Sequence, residues 1–313
     1  MSIDPVILFF LLGVLARLVK SDLRMPEPIY EALSIYLLLA LGLKGGIELA
    51  RHPVVTLLPQ IAAVLALGCV LPLLAFAALR TMRLDRINAA AIAAHYGSVS
   101  VVTFAAAVAW LESHAISYEA YLVVFLVILE VPGIVVGVLL ARGLGTGQAP
   151  LRPLLAEVFS GKSVVLLLGG IAIGALLGAQ GAAPLRPFFT DLFKGALCLF
   201  MLELGMVAAR QFGQLKKSGV VLAMFGVGAP LLFGLSGAVT GAWLGLSEGG
   251  TMLLAVLAAS ASYIAAPAAI RVAVPDANPG LSLPVVLGVT FPFNVFVGLS
   301  VYYQYAVWIK GVL

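Results

Sequence analysis

At the centre of one long apolar segment lies the stretch His95-Tyr96-Gly97-Ser98-Val99-Ser100-Val101-Val102-Thr103-Phe104. About 160 residues later, a second apolar segment has at its centre the related stretch Ser260-Ala261-Ser262-Tyr263-Ile264-Ala265-Ala266-Pro267. Each segment is long enough to cross a lipid bilayer. Helix-breaking and hydroxyl residues at mid-membrane, in corresponding places of two halves, are typical of a transporter binding site.

The composition is that of a membrane protein. Hydrophobic residues make up 62% of the 313 residues, charged residues only 10%, and the mean hydropathy is +1.14. A soluble domain has about 25% charged residues. The net charge of +4 is small and gives no indication of a nucleic-acid partner. Cys69 and Cys198 both lie in apolar runs, so we expect buried thiols and neither a disulfide nor a metal site.

Hydropathy predicts an all-α polytopic protein with ten transmembrane helices. The predicted spans are 5–20, 28–50, 53–79, 87–111, 117–141, 163–180, 187–209, 218–245, 249–272 and 280–309. Lysine and arginine decide the orientation because cytoplasmic loops are enriched in them. With the N-terminus outside, 13 of the 18 basic residues fall in inner loops and 4 in outer loops. We therefore expect both termini outside, in a bacterial cytoplasmic (inner) membrane.

Internal matches predict two repeats. They pair Pro72-Leu73-Leu74 with Pro230-Leu231-Leu232, Leu41-Gly42 with Leu204-Gly205, Ser100 with Ser262, and Pro132 with Pro292, at offsets of 158 to 163 residues. Five spans per repeat turn the second copy upside down in the membrane. The expected organisation is a first five-helix repeat (1–142), a cytoplasmic connecting loop (143–162) and an inverted second repeat (163–313).

The two stretches predict broken helices, four and nine, that cross at an anion site. Proline disrupts a helix, and unwound backbone inside a membrane must face protein or a water-filled cavity. The half-helix N-termini would then offer N–H groups and partial positive charge to a small anion. The serine hydroxyls at 98, 100, 260 and 262 would add donors. The alternative is that these are small packing residues at helix contacts.

Few ionisable residues lie within the predicted spans, and such residues are functional candidates. Glu130 could bind sodium because hard cations prefer oxygen ligands, or it could be a structural carboxylate. Thr290 aligns with Glu130 through the Pro132 and Pro292 match, and Asn294 lies one turn further, so both are candidate oxygen ligands or packing residues. We expect His95 to pack or to hydrogen-bond to backbone.

Enzymatic motifs are incomplete. Gly161-Lys162-Ser163 resembles part of a phosphate loop, but Ala156 stands where that motif needs glycine and no strand precedes it. No carboxylate is placed to orient His95 as in a hydrolase. We therefore expect no enzyme activity, no cofactor, and no metal besides sodium as coupling ion.

The chain resembles the cyanobacterial-type sodium-dependent bicarbonate transporters (SbtA) over nearly its whole length. The resemblance lies in the 95–104 stretch, in Leu129-Glu130-Val131-Pro132 and in Ser260-Ala261-Ser262. It implies core and gate domains, sodium-coupled bicarbonate uptake, a homotrimer and a PII-like cytoplasmic regulatory protein as partner. It also implies an anion site formed by Gly97, Ser98, Ser100, Ser260, Ala261 and Ser262. A sodium site nearby would be formed by Thr103 and Glu130.

Two other functions compete with bicarbonate symport. A transporter of the same architecture could carry a larger organic anion, such as a bile acid or a monocarboxylate. A non-transporting receptor or a channel is a different class, and a channel would need an open pore through both leaflets. The short side chains around both breaks favour a small ion and alternating access. The central loop looks shorter than in the cyanobacterial members. This departure weakens the expectation that the regulatory protein docks on this chain more than it weakens the expectation of transport.

Overall fold

The computed structural model describes residues 4–52, 54–142 and 151–312, and the regular structure within them is helical. The predicted all-α class is confirmed. In chain order the helices are α1 (Pro5–Leu18), α2 (Glu27–Leu49), α3 (Val54–Thr81), α4 (Arg86–Gly97), α5 (Val101–Ser113), α6 (Val123–Arg142), α7 (Leu151–Phe159), α8 (Lys162–Gly181), α9 (Phe193–Ser218), α10 (Val220–Trp243), α11 (Glu248–Ala259), α12 (Ala265–Ala273) and α13 (Pro279–Val312).

Eight helical segments of the described residues are long and apolar enough to cross a membrane. The first predicted span coincides with α1, of 14 residues, and the ninth is divided between α11 and α12, of 12 and 9 residues. Within the predicted connecting loop, residues 143–150 lie outside the described residues, and α7 occupies most of the remainder. The hydropathy prediction therefore locates the helices well but does not reveal α7.

The segment Arg86–Ser113 occupies the interior of the helix assembly. Its most apolar window is 94% buried, whereas the corresponding window of Val55–Thr81 is only 28% buried. A segment surrounded by other helices can interrupt its backbone hydrogen bonding without exposing polar groups to lipid. The interior position thus makes a non-helical stretch physically acceptable in this segment.

Glycines bring two helix pairs into backbone contact: α1 with α9, and α2 with α8. A Cβ atom on Gly13 would lie 2.0 Å from the carbonyl oxygen of Leu202, and one on Gly46 would lie 2.1 Å from that of Ile171. Alanine at either position would force the helices apart. We call these two contacts the glycine seams, and they fit the preference of membrane helix interfaces for small residues.

An ion pair joins α2 to α5. Lys44 Nζ donates to Glu112 Oε1 and, at 2.5 Å, to the Tyr118 hydroxyl. Both charged side chains are about two-fifths exposed, at 38% and 42%. Lys44 therefore has a specific partner on a different helix.

Candidate functional site

Two short non-helical stretches divide the central helices. α4 ends at Gly97 and α5 begins at Val101, which leaves residues 98–100 as the first interruption. α11 ends at Ala259 and α12 begins at Ala265, which leaves 260–264 as the second interruption. The residues that open the two interruptions, Ser98 and Ser260, both have extended backbone, with ψ of 176° and 164°.

The helices that precede the interruptions match closely. α4 and α11 each have 12 residues, and their first residues are 162 positions apart. Each begins with a side-chain cap: Asp85 accepts from the Asn88 N–H, and Ser247 accepts from the Gly250 N–H, both at 3.0 Å. Such caps satisfy backbone donors that have no partner within the helix.

Hydrogen bonds join the two interruptions directly. The Ser100 N–H donates to Ser260 Oγ at 2.9 Å, and the Ser262 N–H donates to the His95 carbonyl oxygen at 2.8 Å. The His95 ring also contacts the Ser262 carbonyl oxygen, at 2.6 Å from Nδ1. The contacts place the start of α5 next to the end of α11, and the end of α4 next to the middle of the second interruption.

A small pocket lies where the two interruptions meet. Its wall consists of Val99, Ser100, Val101, Glu130, Ser163, Ser262, Tyr263, Ile264 and Ala265. Val101 and Ala265 are the first residues of α5 and α12, so both helix N-termini lie at the pocket. Helix N-termini carry partial positive charge and unpaired N–H groups, which suit an anion.

Glu130 brings a buried carboxylate to the same pocket. Its side chain lies on α6, the residue is 2% exposed, and Oε2 has no hydrogen-bond partner among the described residues. The Tyr263 hydroxyl is buried and unpartnered in the same sense. Unpaired polar atoms in a protein interior are costly. Two of them beside one pocket indicate a site built for a polar ligand.

The four predicted serines fall into two groups. Ser98 Oγ donates to the Glu130 carbonyl oxygen at 3.2 Å, and Ser260 Oγ donates to the Leu257 carbonyl oxygen at 3.0 Å. These two hydroxyl protons are therefore used within the protein. Neither Ser98 nor Ser260 lines the pocket.

Ser100 and Ser262 line the pocket and act differently. Ser100 Oγ accepts from the Thr103 N–H at 3.2 Å and from the Thr103 hydroxyl at 2.9 Å, while Ser262 Oγ accepts from the Ala266 N–H at 3.1 Å. Since each oxygen acts as an acceptor in these bonds, they do not use its own proton, which can be donated to a ligand in the pocket or, from Ser100, to the Tyr263 hydroxyl. These two serines cap α5 and α12 and can also donate to a ligand.

The predicted sodium ligands lie in two places. Glu130 lines the pocket, and Thr103 lies one hydrogen bond behind it, through Ser100. Thr290 and Asn294 lie in a separate buried cluster. There Thr290 Oγ1 donates to the Gly226 carbonyl oxygen at 2.7 Å, and Asn294 Nδ2 donates to that of Ala259 at 3.0 Å. The structure does not bring these two residues to the pocket that contains Glu130.

Two further predicted residues, Gly97 and Ala261, do not line the pocket in the structure. A Cβ on Gly97 would lie 2.6 Å from Pro72 Cβ and 2.8 Å from Gly133 Cα, which are atoms of α3 and α6. Ala261 is 3% exposed and does not line the pocket. Gly97 therefore allows α3, α4 and α6 to approach one another.

Sequence reasoning missed Ser163 and Tyr263 as pocket residues. Tyr263 was visible within the second stretch, next to Ser262, but nothing in the sequence said which way its side chain turns. Ser163 is the second residue of α8, far from either stretch in the chain, and only tertiary packing brings it to the pocket.

Comparison with known proteins decides the family. A family model described as the Na+-dependent bicarbonate transporter superfamily matches residues 5–307. The chain belongs to this superfamily. The resemblance seen in the sequence is thus confirmed, and membership implies Na+-dependent bicarbonate transport by a multi-pass helical membrane protein. No curated protein matches the chain.

Proposed function

We propose that this member of the superfamily is a secondary active transporter that takes up bicarbonate with sodium by alternating access. The observation that carries the proposal is the meeting of two helix N-termini and the Glu130 carboxylate at one small pocket. The N-termini and the protons of Ser100 and Ser262 suit one small anion. The carboxylate suits a hard cation beside it.

The same geometry supplies a physical reason for coupling. Without sodium, the Glu130 carboxylate and a bound bicarbonate would place two negative charges at one buried pocket, where like charges repel strongly. A sodium ion between them offsets this repulsion, so each ion raises the affinity for the other. By thermodynamic linkage the effect is equal in both directions.

We assign the sodium site to Glu130 with pocket hydroxyl oxygens, supported by Thr103 behind Ser100. Thr290 and Asn294 are retained as candidates for a second oxygen cluster, because both are buried polar side chains at 1% exposure, Thr290 aligns with Glu130, and Asn294 lies one turn further along. Their present hydrogen bonds give them a structural role as well.

The proposed architecture is two inverted five-helix repeats with broken, crossing fourth and ninth spans. The equal lengths and equivalent caps of α4 and α11 support it. The helix contacts between the two halves support it as well. The first helix of each half packs on the second helix of the other half, α1 on α9 and α8 on α2, which is the pattern that an inverted repeat produces. We take α1, α2, α8 and α9 as the gate domain and α3–α6 with α10–α13 as the core domain.

The orientation follows the basic residues, with both termini outside the bacterial inner membrane. In this orientation α4 and α12 lie in the inner half of the membrane, and α5 and α11 lie in the outer half. The pocket then falls near mid-membrane, where transporters of this kind bind their substrates.

The resemblance supports two proposals about assembly, a homotrimer and a PII-like regulatory partner at the inner face. Mass measurement in detergent tests the first. Co-purification of a candidate partner with AMP-type and ATP-type nucleotides tests the second, and absence of binding with every nucleotide would remove it.

Uptake of labelled bicarbonate into proteoliposomes tests the function. We expect uptake driven by an inward sodium gradient and not by an equal potassium gradient. An excess of a bile acid or a monocarboxylate should leave the uptake unchanged, because the pocket is small and its polar groups lie close together. Sodium-driven uptake of the organic anion in place of bicarbonate would identify the other symporter class. Uptake that follows the bicarbonate gradient alone and does not depend on the sodium gradient would indicate a channel.

A further inference from the structure

His95 contacts the second interruption through both its backbone and its ring. It lies in the last turn of α4 and is 1% exposed. Its carbonyl oxygen accepts from the Ser262 N–H at 2.8 Å, and its Nδ1 lies 2.6 Å from the Ser262 carbonyl oxygen. A carbonyl oxygen can only accept, so Nδ1 carries the proton and donates. Two residues 167 positions apart are thus joined by a reciprocal pair of hydrogen bonds.

Ser262 is the residue on which the pocket depends most in the second half. Its oxygen caps α12 through the Ala266 N–H, and its proton is available to a ligand. The hydroxyl can serve both purposes only if the Ser262 backbone is held at one orientation. The His95 pair fixes both polar backbone groups of Ser262, and therefore the direction of its side chain.

His95 also lines a second, larger cavity, whose wall includes Arg271, Asn278 and Ser282. Its position in both places makes it part of the wall between that cavity and the second interruption. A small side chain at position 95 would leave the Ser262 carbonyl oxygen without its buried donor and would extend the cavity towards it.

We propose that His95 is a positioning residue for the anion site: it donates Nδ1–H to the Ser262 carbonyl oxygen and thereby holds Ser262 in the orientation that binds bicarbonate. The proposal rests on the proposed function, since the ligand is the same bicarbonate. It predicts that the position of the donor matters more than the size of the side chain. The amide nitrogen of asparagine can occupy about the place of Nδ1, whereas that of glutamine reaches towards the place of Nε2.

The test compares bicarbonate binding and uptake in the parent, His95→Asn, His95→Gln and His95→Ala. Thr251→Val is a matched control, because it removes a buried side-chain hydroxyl from α11 without touching either interruption. We expect His95→Gln and His95→Ala to raise the KM for bicarbonate by about tenfold to a hundredfold. His95→Asn should restore KM to within about threefold of the parent, and Thr251→Val should leave it unchanged.

The outcomes separate the two proposals. Two results would overturn the positioning role in a parent that transports bicarbonate. In the first, His95→Gln keeps the KM of the parent. In the second, His95→Asn folds as well as His95→Gln but has an equally raised KM. If His95→Ala does not assemble, the comparison of asparagine with glutamine still decides. A parent that neither binds nor transports bicarbonate refutes the proposed function itself, and the role of His95 falls with it.

Discussion

Replacement of the four serines one at a time should divide them into two groups. Ser262→Ala and Ser100→Ala each remove a hydroxyl proton that lies at the pocket. A hydrogen bond to a charged partner is worth about 1.5–3 kcal/mol, and each 1.4 kcal/mol or so is tenfold in affinity. We therefore expect about tenfold to hundredfold weaker bicarbonate binding from either variant. Each also loses a helix cap, which costs about 0.5–2 kcal/mol of stability.

The other two serines should affect stability rather than binding. Ser98→Ala loses one hydrogen bond to the Glu130 carbonyl oxygen, which is worth about 1 kcal/mol. Ser260→Ala leaves the buried Ser100 N–H without its acceptor, at a cost of about 1–3 kcal/mol of stability. Since the second change can disturb Ser100, Ser98→Ala is the cleaner control.

Two measurements on purified protein check this division: calorimetric titration with bicarbonate at saturating sodium, and thermal unfolding of each variant. From the sequence alone, alanine at any of the four serine positions is expected to weaken bicarbonate binding. The structure limits that expectation to Ser100→Ala and Ser262→Ala. Equal loss of binding in Ser98→Ala and Ser262→Ala would refute the reasoning from the hydroxyl protons. Parent-like binding in all four variants would move the anion site elsewhere.

Three further predictions concern the cation, the domains and the topology. Glu130→Gln keeps the shape of the side chain but removes its charge, so the sodium concentration for half-maximal uptake should rise; an unchanged sodium curve would return Glu130 to a structural role. Lys44→Glu and Glu112→Lys should each slow uptake, because each places two like charges together between α2 and α5. The double exchange restores the ion pair and should recover most of the uptake rate. A double variant that is as slow as the single variants would show that uptake does not depend on this ion pair. In a cysteine-free background, a membrane-impermeant thiol reagent added from outside should label His114→Cys and not Arg83→Cys, and the reverse pattern would overturn the proposed orientation in the membrane.

The sequence was sufficient to locate the long apolar helices because lipid imposes a strong one-dimensional pattern. About 20 apolar residues per crossing are visible without knowing any neighbour, and the two serine-rich stretches coincide with the interruptions. Chemistry that depends on partners was not predictable. Which serine donates into the pocket depends on where the Thr103 and Leu257 groups lie. The resemblance implies Gly97 in the anion site, yet its close neighbours are Pro72 and Gly133, which only tertiary packing reveals.

The glycine seams have a consequence for how the chain is made. The partners of α1 and α2 are α9 and α8, which lie in the second half of the chain. When the first six helices have entered the membrane during synthesis, α8 and α9 do not yet exist. At that stage the contact glycines of α1 and α2 are without their partner helices. Contacts between such distant segments form late, since the intervening chain must be present first. The glycine seams can therefore form only after α8 and α9 have entered the membrane, so until then α1 and α2 present these glycines to lipid or to other helices.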